Sequence, residues 1–188
     1  VAGGNGWIAH SENNGMGQLQ ELKVLSLSSH GSTDLVDLDA DGDLDIVAGN
    51  TDSIFWMKNL DGAGNFSLEK GIIGAAASDI VCADIDGDGD LDIAAIEGTS
   101  MVWYEHLNGQ GNFANRVFIM DLWGNSKYIG FYDIDLDVDL DAVGTSQFNQ
   151  LSWAQNLDGT GTFGERQVVL KMWPSALLPP LKLHDLDQ

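Results

Sequence analysis

The run Asp37-Leu38-Asp39-Ala40-Asp41-Gly42-Asp43-Leu44-Asp45 places a carboxylate at every second position across nine residues. Five like charges at this spacing repel one another, and the neighbouring sequence is not basic enough to neutralise them. Calcium takes roughly six to eight oxygen ligands, mostly carboxylates and backbone carbonyls. The run therefore predicts a loop that wraps a hard cation.

The same run recurs along the 188-residue chain. A second copy spans residues 84–92 and a third spans residues 133–141, at steps of 47 and 49 residues. A fourth copy begins at Asp185 and Asp187. We call the three complete copies the first, second and third acidic runs and number their positions 1 to 9. A period of this length is typical of solenoids and propellers.

Two further markers keep the same register. Trp56 and Trp103 lie eleven residues after the last Asp of their acidic runs, and Trp153 lies twelve residues after the third. A glycine-rich segment that ends in Phe follows each Trp, and we call these segments glycine turns. The glycine turns are residues 61–66, 108–113 and 158–163, with a looser copy at residues 14–17. Three markers in register establish the repeat.

Each repeat divides into four short segments rich in β-branched and aromatic residues, without a helical period. Four strands in a repeat of about 48 residues predict one β-propeller blade. The acidic run then joins the first and second strands, and the glycine turn joins the third and fourth on the same face. We predict an all-β fold, a β-propeller of about four blades that is either a closed small ring or an arc of a larger propeller. The predicted parts are a partial blade over 1–28, blades over 32–75, 78–122 and 128–172, and a first strand with the start of a calcium loop over 179–188.

The composition excludes several classes of partner. With 29 acidic and 8 basic residues the formal net charge is -21, which argues against binding nucleic acid or an anionic membrane surface. No apolar run approaches the roughly 20 residues of a membrane span. The single cysteine, Cys82, allows no internal disulfide. The chain starts at Val1 without a signal peptide, so we expect a mature product or a fragment.

Calcium chemistry assigns roles within each acidic run. Side chains at positions 1, 3, 5 and 9 and the carbonyl at position 7 can surround one ion. Gly42 and Gly89 at position 6 let the chain turn back on the ion, whereas Val138 there predicts a weaker, distorted or empty third site. We expect two to three calcium sites and a possible incomplete fourth at Asp185 and Asp187. The predicted ligands are Asp37, Asp39, Asp41, Asp43, Asp45, Asp84, Asp86, Asp88, Asp90, Asp92, Asp133, Asp135, Asp137, Asp139 and Asp141.

Other sites fit these runs less well. An EF-hand needs Glu at position 12 and flanking helices, but that position holds Ala48, Ala95 and Gly144 and the flanks are predicted strands. Zinc favours His and Cys, which the runs lack. Magnesium is disfavoured in cages made wholly of protein oxygens. An acidic surface loop without any ion remains the alternative interpretation.

The acidic run, the Trp-bearing strand and the glycine turn with its Phe resemble the FG-GAP/VCBS repeats. These calcium-binding blades also occur in integrin α-subunit propellers and in some fungal and bacterial lectins. The Phe-Gly and Gly-Ala-Pro signatures that name the family are absent, so the chain is closer to the VCBS-like branch than to integrins. The resemblance implies a β-propeller whose acidic runs bind calcium.

The remaining aromatic residues suggest a ligand face. Trp123 lies between blades, ten residues before the third acidic run, and Trp173 lies twelve residues before the start of the fourth. Ten residues before the second run the chain has Gly74, so the aromatic residue does not recur in every blade. Trp123 and Trp173, together with Tyr128, are candidates for binding a ligand, although capping of the core is an alternative role. The histidines show no arrangement typical of catalysis, so we do not expect an enzyme.

We therefore predict a non-catalytic, extracellular or cell-surface recognition or adhesion module. Its expected partner is a glycan or an extracellular protein, and open blade edges allow self-association. Two alternatives stay open. The chain is the propeller part of a polysaccharide-degrading enzyme, or it is a structural repeat of a surface filament or assembly.

Overall fold

The computed structural model describes residues 2–4, 7–12, 14–26, 31–124, 128–146 and 150–171. All of its regular elements are strands, and the described residues contain no helix. β-branched and aromatic residues at alternating positions favour this extended backbone. The strands are β1 (Ala2–Gly4), β2 (Trp7–His10), β3 (Lys23–Ser26), β4 (Ser32–Val36), β5 (Asp45–Gly49), β6 (Ile54–Met57), β7 (Lys70–Ile73), β8 (Ile80–Ala83), β9 (Asp92–Glu97), β10 (Ser100–Tyr104), β11 (Val117–Asp121), β12 (Ile129–Tyr132), β13 (Asp141–Thr145), β14 (Gln150–Ala154) and β15 (Gln167–Lys171).

The strands form four antiparallel sheets, each ordered as in the chain. The first sheet has three strands, β1–β3, and the others have four, β4–β7, β8–β11 and β12–β15. We call these sheets the first to fourth blades. Up-and-down sheets repeated in this way are the blades of a β-propeller. The predicted all-β propeller fold is therefore confirmed.

Polar side chains tie the first strands of neighbouring blades together. Asp34 in β4 accepts a hydrogen bond from the Cys82 N–H in β8 at 2.9 Å. Asp79, just before β8, accepts one from Ser32 Oγ at 2.9 Å and one from the Ile129 N–H in β12 at 3.2 Å. Strands β4, β8 and β12 therefore lie side by side as the inner strands.

Apolar side chains fill the space between neighbouring blades. Trp56 and Trp103 are 6% and 4% exposed and belong to this core. A Cβ atom added to Gly111 would lie 3.0 Å from Trp56, and one added to Gly161 would lie 2.1 Å from Trp103. The glycine turn of each of these blades thus packs directly on the Trp of the preceding blade. Only a glycine leaves room for this contact.

Some predictions fall on residues that the structure does not describe. Trp173, Asp185, Asp187 and the predicted strand over 179–188 all lie outside the described residues. So do Val1 and Gln188, whose separation distinguishes a closed ring from an arc. Within the described part of the chain, no helical segment has the length and apolar character needed to cross a bilayer.

Candidate functional site

Each acidic run forms the loop between the first and second strands of its blade, and we call these the first, second and third acidic loops. Every loop brings together the carboxylates at positions 1, 3 and 5. In each group the three ligand oxygens lie within 4.8 Å of one another. A cluster this tight is the arrangement in which a divalent cation can bridge oxygens. The groups are Asp37, Asp39 and Asp41; Asp84, Asp86 and Asp88; and Asp133, Asp135 and Asp137.

The position 1 carboxylate also shapes its loop. Asp37 accepts hydrogen bonds from the N–H groups of Asp41 at 3.0 Å and Gly42 at 2.9 Å. Asp133 accepts the matching bonds from Asp137 and Val138, both at 3.1 Å. Because these bonds pull the chain back sharply, position 6 adopts a left-handed backbone.

Val138 keeps this left-handed conformation, with φ of 83° against 94° for Gly42. The β-branched side chain strains the backbone there, at a cost of roughly 1–2 kcal/mol. The position does need a positive φ, as the sequence interpretation assumed. The third loop nevertheless keeps the shape of the others, and the occupancy of its site stays a prediction.

The position 9 carboxylates do not belong to the three tight groups, although burial, helped by the charges of those groups, raises their pKa values. Asp45, Asp92 and Asp141 are fully buried. Asp92 accepts hydrogen bonds from the N–H groups of His106 at 2.8 Å and Ile85 at 2.9 Å. Burial raises the pKa of Asp92 to about 7. These carboxylates connect the acidic loop to the glycine turn, and their predicted role as metal ligands stays a prediction.

The position 7 side chains face the glycine turn of their own blade. A Cβ atom added to Gly62 would lie 2.3 Å from Asp43 Oδ1, and one added to Gly159 would lie 2.6 Å from Asp139 Oδ1. At Gly109 the distance to Asp90 Oδ1 is 3.7 Å. Since these side chains point at the turn, only the predicted carbonyl of position 7 remains for an ion.

The clusters fit a hard cation. Among the described residues, Asp39 Oδ1 and Asp84 Oδ1 are buried and have no hydrogen-bond partner. A buried carboxylate oxygen without a donor is costly unless a cation neutralises it. Burial also raises the pKa of Asp86, and the charges of Asp88 and Glu105 add to the rise. The first two loops thus hold negative charge that the surrounding chain does not neutralise fully.

One set of neighbours was missed by the sequence interpretation. Lys58 lies two residues after Trp56, and its Nζ contacts Asp39 and lies 2.9 Å from Asp41 Oδ2. The same register position holds Glu105 in the third blade and Gln155 in the fourth. Gln155 Nε2 donates to Asp135 Oδ2 at 2.5 Å. The Trp register could have identified this position, because it places the side chain on the strand beside the loop.

A second candidate site is a groove between the outer strands of the third and fourth blades, which we call the Trp123 groove. Trp123 is 59% exposed and Phe118 is 51% exposed. The Arg166 guanidinium lies 5.7 Å from the centre of the Trp123 ring. The cavity volume is about 460 Å³, within the range of small-molecule sites. Its lining residues are Phe118, Ile119, Met120, Asp121, Trp123, Phe163, Gly164, Glu165 and Arg166.

Arg166 is held rigidly in the groove. Its Nε donates to Ser152 Oγ at 2.9 Å and its terminal nitrogen donates to Gln150 Oε1 at 3.0 Å. Trp123 itself was predicted from the sequence, but Arg166 was not, because it comes from the next blade. Tyr128 is half-buried and is not one of the residues that line this groove. Trp173 lies outside the described residues.

Residues 37–95 match the FG-GAP-like repeat family. No curated protein matches the chain in sequence.

Several solved structures resemble the chain, among them a lectin and a toxin pore. A lectin of Agrocybe aegerita, described for specific recognition of non-reducing terminal N-acetylglucosamine, is 22% identical, with a TM-score of 0.65. The match covers 90% of this chain and 48% of the lectin, so the chain spans about half of the lectin's length. The Tc holotoxin pore of Photorhabdus luminescens is 15% identical over 90% of this chain and 11% of the pore chain, with a TM-score of 0.38. The family match over residues 37–95, together with the four sheets and the structural likeness to the lectin, confirms an FG-GAP-like repeat of the β-propeller type in this chain.

Proposed function

We propose that this chain is a non-catalytic, extracellular recognition propeller that binds a glycan in the Trp123 groove and calcium in its acidic loops. The observation that carries the glycan proposal is the exposed Trp123 ring beside a fixed Arg166 in a cavity of about 460 Å³. Sugar rings stack their apolar faces on aromatic side chains, while charged and polar groups at the rim bind hydroxyls. The lectin with the same fold supports this class of ligand.

The charge of the chain narrows the class of glycan. The formal net charge of -21 disfavours a polyanionic ligand, even after some acidic residues are neutralised by calcium. Asp121 and Glu165 in the groove accept hydrogen bonds from hydroxyl groups, and Arg166 donates. We therefore expect a neutral glycan.

Calcium has a structural role in this proposal. When bound, the ion neutralises the clustered carboxylates at positions 1, 3 and 5 of each loop. It thereby holds the connection between the two inner strands of a blade. Because the chain's own residues bind the ion only when the loop is folded, binding stabilises the native state.

A glycan array probed with the 188-residue chain tests the groove, with and without calcium. We expect binding to neutral glycans that Trp123→Ala abolishes. Trp7→Ala is the matched control, since Trp7 is 38% exposed and lies on a different blade. Binding that survives Trp123→Ala, or silence on every glycan, would overturn the glycan proposal.

The two histidines among the described residues favour the proposal of binding over catalysis. His106 is buried, and its Nε2 accepts a hydrogen bond from the Gly111 N–H at 2.9 Å. His10 is also buried, beside Gly64 of the next blade. These two histidines support the glycine turns, so we propose binding and not chemistry.

A second candidate function is assembly through the first and fourth blades. Trp153 is only half-buried, unlike Trp56 and Trp103. In the first blade, a Cβ atom added to Gly17 would meet no described atom within 4 Å. Among the described residues, neither Trp153 nor Gly17 makes the Trp–glycine contact that joins the second, third and fourth blades. Head-to-tail association should appear in sedimentation equilibrium as a dimer or larger species that Trp153→Glu disrupts, and a monomer at every concentration would exclude it.

A further inference from the structure

The three acidic loops differ at one neighbouring residue, although their carboxylate clusters are alike. The residue two positions after the blade Trp is Lys58 in the second blade, Glu105 in the third and Gln155 in the fourth. The side chains are thus cationic, anionic and neutral at the same structural position. The charge beside the cluster therefore changes by two units between the first and second loops.

The Lys58 ammonium places its positive charge directly on the carboxylates of the first loop. Its Nζ contacts Asp39 and lies 2.9 Å from Asp41 Oδ2, so it bridges positions 3 and 5. A calcium ion would bind the same carboxylate groups, at oxygen distances of roughly 2.3–2.6 Å. The ammonium and a divalent ion on these carboxylates would repel each other across a few ångströms. The ammonium of Lys58 therefore opposes the binding of an ion to the first loop.

Glu105 does the opposite in the second loop. It follows β10 directly, at the register position of Lys58, so it brings a negative charge to the side of the second loop where Lys58 brings a positive charge to the first. The three carboxylates of the second loop already lie within 4.8 Å of one another. Among the described residues, the second loop also keeps Asp84 Oδ1 buried without a donor. A cation relieves both the repulsion and the unpaired oxygen.

We propose that Lys58 is a built-in counter-cation of the first loop, and that the residue at this position sets the order of cation affinity among the loops. This inference rests on the proposed calcium function. The second loop, beside Glu105, binds calcium most tightly, and the first loop, beside Lys58, binds it most weakly. In return, Lys58 stabilises the first loop when calcium is absent.

The test replaces Lys58 by the residues that the fourth and third blades have at the same position, Gln and Glu. Lys58→Gln and Lys58→Glu are compared with the unmodified 188-residue chain by calorimetric calcium titration and by thermal melting in chelator. We expect the weakest site to tighten about tenfold or more with Gln, the factor that corresponds to 1.4 kcal/mol, and further with Glu. In chelator the same variants should melt at a lower temperature than the unmodified chain. Tighter calcium binding together with a lower melting temperature in chelator identifies Lys58 as a counter-cation.

Lys23→Gln is the matched control, because it removes one positive charge from a surface pair with Glu12, away from the loops. If Lys23→Gln tightens calcium binding as much as Lys58→Gln does, net charge explains the effect and the inference is wrong. If the unmodified chain binds calcium and Lys58→Gln leaves the titration unchanged, the inference is also wrong while the calcium function stands. No calcium binding to the unmodified chain would instead overturn the proposed function.

Discussion

The Trp56 indole donates a hydrogen bond from Nε1 to Asp45 Oδ2 at 2.9 Å inside the second blade. The two residues lie on paired strands, where Val47 is the register partner of Trp56. In the second blade, the eleven-residue spacing between the last Asp of the acidic run and the Trp brings these two side chains together across the strand pair. The hydrogen bond joins the loop that carries the candidate metal site to the interface between blades.

Replacing this Trp tests the contact against an internal control. Trp56→Phe removes the indole donor from the buried Asp45 carboxylate, whereas Trp103 Nε1 is buried with no hydrogen-bond partner among the described residues. We expect Trp56→Phe to lower the free energy of unfolding by about 1–3 kcal/mol more than Trp103→Phe, since both lose a similar volume. Urea titrations of the two variants measure this difference. Equal losses would show that the hydrogen bond contributes nothing.

The Trp–glycine contact between blades predicts a strong steric effect. Gly161→Ala would place Cβ 2.1 Å from Trp103 Cζ2 at a residue with φ of 82°, so strain and overpacking add. Gly17→Ala has nearly the same backbone, with φ of 79°, and no described atom within 4 Å of the new Cβ. We expect Gly17→Ala to cost about 1–2 kcal/mol and Gly161→Ala about 1–3 kcal/mol more. Similar thermal melts for the two variants would contradict this packing.

Val138 offers a stabilising substitution. Val138→Gly relieves the left-handed strain while keeping the N–H that donates to Asp133 at 3.1 Å. We expect a gain of about 1 kcal/mol in the free energy of unfolding, after the larger backbone entropy of glycine is subtracted. Ala40→Gly, at φ of 56°, is the comparison and should gain less, because alanine is not β-branched. Because Val138 is 85% exposed and its side chain has little packing to lose, a loss of stability in Val138→Gly would contradict the strain.

Removing calcium should destabilise the whole chain. At a calcium concentration about 100 times the dissociation constant, one bound ion contributes about 2.7 kcal/mol. For a domain of this size we therefore expect a chelator to lower the melting temperature by about 5–10 °C for each ion that it removes. Restoring calcium, but not adding magnesium, should reverse the shift. An unchanged melting temperature in chelator would refute a structural role for calcium.

Asp79 predicts a dependence of stability on pH. Burial raises the pKa of Asp79 in the folded chain above its ordinary value of about 3.9. The native state therefore holds this proton more tightly than the unfolded chain does. The resulting stabilisation is complete below pH of about 3.9 and is lost as pH rises through the raised pKa.

Asp79→Asn isolates this effect from the other carboxylates, which titrate in both proteins. We expect the stability of the variant relative to the unmodified chain to increase as pH rises from about 4 towards neutrality. The amide keeps an acceptor for Ser32 Oγ, which donates to Asp79 Oδ1 at 2.9 Å. Urea titrations at a series of pH values measure the difference, and a difference that does not vary with pH would contradict the prediction.

Much of the site could be predicted because it is local in sequence. The bonds from the N–H groups of Asp41 and Gly42 to Asp37 span only four and five residues, so an alternating run specifies its own loop. The repeat then specifies the blades, because each marker returns at a nearly constant step. The role of position 9 was harder to predict, since the partners of Asp92 include His106, which lies fourteen residues away beyond the end of β10.

The sequence by itself determined the blade repeat, the three carboxylate clusters and the need for a left-handed residue at position 6. Each of these depends on residues a few positions apart, where backbone geometry leaves little choice. Only the tertiary structure decided that Lys58 lies on the first cluster and that Arg166 of one blade faces Trp123 of another. Those contacts depend on how strands and blades pack, and a residue's spacing along the chain does not specify its neighbour across a sheet interface. The acidic run thus determined the fold, while packing between its copies made the loops and grooves different from one another.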